Sequence, residues 1–226
     1  MVAQLLFVCN DPIAPEGLLG DVFADRGFDI DTHNVTAETV FPDPARYDVV
    51  VLLGARASVY DDGLRQTWVG SEMQLVHDAM AAGVGVLGVC FGGQLIAQAL
   101  GGEVTRSPEP ELGWSRIDSD APYLTDGPWF EWHFDRWTTP PGAHEIARTA
   151  HAPQAFVAGT AMAVQFHPEV NSRVLEQWLT DDGDAVTRLR LNPDQLRAGT
   201  VAQQATAPAR LGTLVDGFLE TIAAVR

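Results

Sequence analysis

Three stretches of this chain are continuous apolar runs of strand length: "AQLLFVCN" from residue 3, "YDVVVLLG" from residue 47 and "GVGVLGVC" from residue 83. Each stops at Gly, Asn, Asp or Cys, as a strand buried on both faces does. "FDIDTHNV" from residue 28 repeats the strand signal. Between the runs the period turns helical. Leu18, Leu19, Val22 and Phe23 make one stripe, and Gly27 is placed to end that helix. In "RQTWVGSEMQLVHDAMAAG", Val69, Met73, Val76 and Met80 recur at steps of four and three, which predicts an amphipathic helix buried along that line. "GQLIAQALGG" supplies another helix after the run that ends at Cys90.

Strands alternating with helices of this length predict parallel βαβ units. The fold class is therefore α/β: a doubly wound, mostly parallel sheet of the three-layer flavodoxin or Rossmann kind. Between about Glu103 and Phe166 the segments shorten and become polar-bounded, as in "ELGWSRI", "GPWFEWHF" and "AMAVQFH". These read as antiparallel hairpins extending the sheet. From about Ser172 the pattern is helical again, ending with Leu211, Leu214, Val215, Phe218, Ile222 and Val225 on one face. A single domain over 1–226 is expected, with 172–226 as a helical C-terminal extension and no linker long enough to divide it.

Composition narrows the partners. The net charge is −16, and all 14 basic residues are arginine. Nucleic acid and anionic membranes are disfavoured, because like charge removes the counterion-release gain. Two cysteines make no disulfide framework, "MVAQLLFVCNDP" is not a signal peptide, and the apolar runs reach only about half a bilayer span. A cytoplasmic protein is expected.

One cysteine is framed for chemistry. In Gly88-Val89-Cys90-Phe91-Gly92 the cysteine sits between a predicted strand and a predicted helix, with glycines two residues before and after. A sharp turn of this kind presents the central side chain above the sheet, and small neighbours make room for it. The following helix N-terminus favours thiolate over thiol. Burial as packing is the competing reading, so a base elsewhere must decide. Of six histidines, His77, His144 and His151 read as solvated and His33 as a strand-end residue. His167 differs, because "AMAVQFHPEV" ends an apolar run on it and places Glu169 two residues on. Ligand sites of such sheets collect at the carboxyl ends of the strands. A thiolate, an imidazole and a carboxylate that orients it form the general triad arrangement.

With "GVCFGGQ" and "QFHPEV", supported by "LLGARASVYD", "ELGW" and "WHFDRWTTPP", the chain resembles the class I glutamine amidotransferases. It is similar in particular to stand-alone proteins like the glutaminase portion of GMP synthase, from about residue 45 to 175. The resemblance implies that Cys90 attacks the side-chain amide of glutamine, His167 carries the proton to the departing ammonia, and Glu169 holds the imidazole. It implies oxyanion donors at the backbone N–H of Phe91 and Ala55, and substrate contacts at Gly54 and Gln94. Where the family usually shows paired glycines this chain reads Gly54-Ala55; a φ above zero would strain the alanine. Glu111, Trp114, His133 and Asp135 also match, and Trp129, Trp132 and Trp137 either wall the pocket or pack beneath a loop. No cofactor or metal is expected.

Only 56 residues follow Val170, too few for an ATP-using synthetase, so a separate synthetase subunit is the expected partner for any ammonia released. Three functions stay open: hydrolysis of glutamine through a Cys90 thioester, hydrolysis of another γ-glutamyl compound by the same thiol, and a dormant binding or regulatory protein of the same fold.

Overall fold

The computed structural model describes residues 2–181 and 183–225. Four parallel strands follow the apolar runs: β1 (Gln4–Cys9), β2 (Asp29–Asn34), β3 (Val49–Leu52) and β4 (Gly85–Val89). The middle of the chain adds β5 (Val104–Ser115), β6 (Asp118–Ser119), β7 (Trp129–Trp137), β8 (His144–Arg148), β9 (Pro153–Ala158) and β10 (Ala161–Val164). Eight strands form one sheet in the order β2-β1-β3-β4-β10-β9-β8-β6. It is parallel from β2 through β10, and antiparallel beyond.

The expected hairpins divide between two destinies. "AMAVQFH" does pair antiparallel with β9, but it also lies parallel against β4, so its carboxyl end joins those of the central strands. "ELGWSRI" and "GPWFEWHF" leave the sheet and pair mainly with each other as a two-stranded ribbon, β5 with β7.

Alternation along the strands sorts the core into two faces. Leu5, Phe7, Val49, Val51, Leu87 and Val89 point to one side, where helix α1 (Gly17–Asp25) brings Leu19, Val22 and Phe23. On the other side Leu6, Val8, Val50, Leu52 and Val86 meet α3 (Trp68–Ala81), which follows the single-turn α2 (Asp62–Arg65), and α4 (Phe91–Ala99). The buried face of α3 is rotated from the line expected. Val69, Glu72, Leu75, Val76 and Ala79 are buried, while Met73 and Met80 lie at its margin. Flexible methionines cover the edge of the contact, and an acidic residue occupies the middle.

The remaining helices are α5 (Ser172–Asp181), α6 (Gly183–Arg188), α7 (Pro193–Gln203) and α8 (Ala207–Val225). Leu211, Leu214, Val215, Phe218 and Ile222 of α8 complete the layer that α1 begins, but Val225 is exposed. Val174, Leu175 and Trp178 of α5 and Leu196 of α7 pack instead on Phe130 and Trp132 of the ribbon.

Close approach of α4 to the sheet requires the two glycines that frame Cys90. A Cβ on Gly88 would stand 2.5 Å from the Gly92 carbonyl oxygen, and one on Gly92 would strike the Leu52 carbonyl. Neither backbone can retreat without lifting the helix off β3 and β4. Gly92→Ala is expected to lower unfolding stability by about 3 kcal/mol, read as a fall in the urea midpoint with little change in slope.

Candidate active site

Cys90 joins β4 to α4 with φ 51° and ψ −108°; among the described residues Arg190 is the only other non-glycine at positive φ. Such a backbone costs on the order of 1–3 kcal/mol and persists only where its surroundings enforce it. Here the Cys90 amide donates to the Val164 carbonyl at 2.8 Å, and its carbonyl accepts from the Gln94 amide at 2.9 Å, the first bond of the helix. The side chain is thereby turned into a cavity of about 220 Å³ at the carboxyl ends of the strands.

His167 arrives from the segment after β10. Its amide donates to the Phe130 carbonyl at 2.7 Å, tying the residue to the ribbon. Its ring Nδ1 donates to Glu169 Oε1 at 2.7 Å, and the Trp178 ring stands edge-on at 4.6 Å. Nε2 is buried and completes no well-formed hydrogen bond; the Cys90 sulfur is the polar side-chain atom it meets there. Burial opposes protonation of this imidazole, but the charges of Glu169 and of the Cys90 sulfur outweigh it and raise the ring well above its ordinary value. Gly54 sits between the two groups. A Cβ there would lie 3.1 Å from His167 Cε1 and 3.9 Å from Cys90 Cβ.

The ribbon supplies the rear wall, and its polar residues alternate. Glu131, His133 and Asp135 share one face of β7, with Glu111 directly across from His133 and Gly113 across from Glu131. His133 Nδ1 meets the Asp135 carbonyl oxygen at 2.9 Å; Nε2 lies 3.3 Å from Glu131 and 3.4 Å from Glu111. Both ring nitrogens therefore face acceptors. Burial works against the cation, yet Glu111 and Glu131 raise His133 to about 10. Glu131 is itself wholly buried, and burial raises it. Asp135 accepts from Ser58 Oγ at 2.6 Å and Tyr60 Oη at 3.0 Å.

Cys90, His167, Gly54, Ala55, Gln94 and His133 all line the cavity. Ala55 has no positive φ, so alanine fits where paired glycines were the pattern. Gln94 turns its amide to the Asp135 carbonyl and the Gln165 side chain, at 3.4 and 3.3 Å. Phe91 packs its ring against Trp68 and leaves its backbone at the start of α4, where helix amides lack intrahelical partners. Glu111 reaches His133, Thr149 and Gln154 rather than the cavity. Of the three tryptophans, Trp132 alone lines the cavity; Trp129 and Trp137 pack on Phe166 and Phe156.

Sequence reading missed Glu131, Ser58, Arg56 and Trp178. The alternation E-x-H-x-D in "EWHFD" was the available signal for Glu131, since polar residues at period two mark one face of a strand. Nothing local to residue 178 marks its approach to His167.

The fold, a doubly wound sheet with a cysteine at a strand-to-helix turn, and its sequence point the same way. The model of the family described as Glutamine amidotransferase class-I matches residues 18–183, and the chain belongs to that family. It is 40% identical over 124 residues to the glutamine-hydrolysing GMP synthase of Aeropyrum pernix, a match covering 46% of this chain and 24% of that protein. The chain thus spans about a quarter of that curated relative. In structure it resembles glutamine amidotransferases of Thermotoga maritima and Methylobacillus flagellatus, each with TM-score 0.87 at 24% identity. The first likeness covers 97% of this chain and 99% of that one, the second 98% and 96%.

A raised histidine lends stability that is complete below its unfolded value of 6.5 and lost as pH climbs through about 10. The thermal midpoint is expected to fall by several degrees across that window, and less steeply in His133→Gln. His167 is raised as well, so the decline shrinks in the variant and does not vanish.

Proposed function

We propose that the protein hydrolyses the side-chain amide of glutamine to glutamate and ammonia through a γ-glutamyl thioester on Cys90. The observation that carries this reading is the meeting of a strained, cavity-facing cysteine with an imidazole whose far nitrogen is held by Glu169 at 2.7 Å.

The Cys90 sulfur adds to the amide carbon while the carbonyl oxygen takes up negative charge. Backbone amides of Ala55 and Phe91 receive that oxygen; one such donor is worth roughly 3–4 kcal/mol in related sites. His167 then passes its Nε2 proton to the amide nitrogen, the carbon–nitrogen bond breaks, and ammonia leaves. Water attacks the thioester, His167 takes a proton from it, and the carbon–sulfur bond breaks to release glutamate. Glu169 keeps the ring in the tautomer with Nε2 toward sulfur throughout. Gly54 leaves room for the substrate beside the sulfur, and Gln94 lines its path. The ammonia would pass to an acceptor on a separate synthetase subunit.

Incubation with glutamine followed by intact mass analysis is expected to show a γ-glutamyl adduct on Cys90, and none in Cys90→Ser. Turnover is expected to be lost in Cys90→Ser with the thermal midpoint retained. His167→Ala should lower kcat more than Glu169→Ala, since a proton carrier contributes more than the group that orients it. Cleavage of γ-glutamyl peptides with no glutamine adduct would transfer the activity to that other substrate class. An adduct that forms and is not released would mark a dormant or partner-gated fold.

A further inference from the structure

The core face of α3 carries one residue that hydrophobic packing does not explain. Glu72 has no exposed surface and lies among Val69, Leu75, Val76 and Ala79. Its Oε1 accepts from Asn10 Nδ2 at 3.0 Å, and the same nitrogen donates to the Leu53 carbonyl at 3.0 Å. An amide nitrogen has two hydrogens, so both are committed. Leu53 directly precedes Gly54 and Ala55. On the far side of that pair, Asp11 accepts from the Arg56 backbone amide at 3.3 Å and from its guanidinium at 2.8 and 3.0 Å. Consecutive residues at the end of β1 therefore hold the Gly54-Ala55 backbone from both ends.

We propose that Glu72 is a positioning residue that locks Asn10 onto the Leu53 carbonyl and thereby sets the Gly54-Ala55 amides toward the reacting oxygen. This rests on the glutaminase reading given above. Without an acceptor at 72, one Asn10 hydrogen is left unpaired in a buried place, and the side chain gains a reason to turn away from Leu53. Burial pushes the Glu72 carboxyl up to about 8, held back only by the Asn10 hydrogen bond; no charged side chain among the described residues contributes. The protonated form is thus favoured at pH 7, and a buried charge develops behind the loop as pH climbs through about 8.

The test compares Glu72→Met, which keeps the volume and removes the acceptor, with Glu72→Gln, which keeps the acceptor and cannot ionise. In Glu72→Met, kcat for glutamine is expected to fall about tenfold with KM within about twofold, as loss of a donor to the transition state requires. The rate of Cys90 alkylation by iodoacetamide, which develops no oxyanion, should stay within about twofold of the parent. Amide exchange at Gly54 and Ala55 should quicken, and the thermal midpoint above pH 8 should equal or exceed the parent's. Glu72→Gln should restore kcat at neutral pH and lose the parent's alkaline decline near pH 8. Parent-like kcat in Glu72→Met, equal loss of turnover and alkylation, or a Glu72→Gln as slow as Glu72→Met would each overturn the proposal. Should the parent itself not turn over glutamine, that sinks the glutaminase reading, and exchange at Gly54 and Ala55 decides the loop question alone: unchanged exchange in Glu72→Met refutes it.

Discussion

The distance between α4 and the strands beneath it governs the site. With hydrogen in place of side chains at Gly88 and Gly92, the first turn of the helix sits directly against the Leu52 carbonyl and the end of β4. The backbone must then reverse within one residue, and Cys90 takes a left-handed φ that no cysteine would choose unaided. The strain is maintained by the surrounding sheet, whose central strands are buried on both faces. Stability of the fold and presentation of the sulfur thus share one cause.

His167 is held by a second set of ties, and they come from outside the parallel sheet. The ribbon fixes its backbone through Phe130, α5 sets Trp178 edge-on against its ring, and the Glu169 carbonyl receives the Leu18 amide at 2.9 Å at the start of α1. Gly17 is required there, since a Cβ on it would overlap that carbonyl. Three elements far apart in sequence immobilise the histidine and its carboxylate. A carboxylate held in this way fixes the tautomer and direction of the ring it meets.

Charge is distributed around the cavity with equal economy. The chain carries a large negative charge, yet two imidazoles that line the cavity with Cys90 are both raised toward the cationic form. Their carboxylates stand behind them: Glu169 behind His167, Glu111 and Glu131 behind His133. The arrangement turns both imidazoles to the cavity and keeps Glu169, Glu111 and Glu131 behind them, where low polarity strengthens each pair.

Much of this was legible along the chain. Continuous apolar runs marked β1, β3 and β4, glycine spacing marked the turn at Cys90, and an apolar run ending in His-Pro-Glu marked His167 with Glu169, because these patterns depend on near neighbours and strand period alone. The rotated face of α3 was not legible, since a helix with both methionines and a glutamate near its stripe is placed by what it meets. Nor was the insertion of β10 beside β4, the departure of β5 and β7 into a ribbon, or the reach of Trp178 to His167. Local composition determined which elements form and which residue could be a nucleophile. Tertiary packing alone decided that Cys90 and His167 share one cavity and that Glu111 faces His133, because those partners lie tens of residues apart and are brought together only when the sheet and the ribbon close on one another.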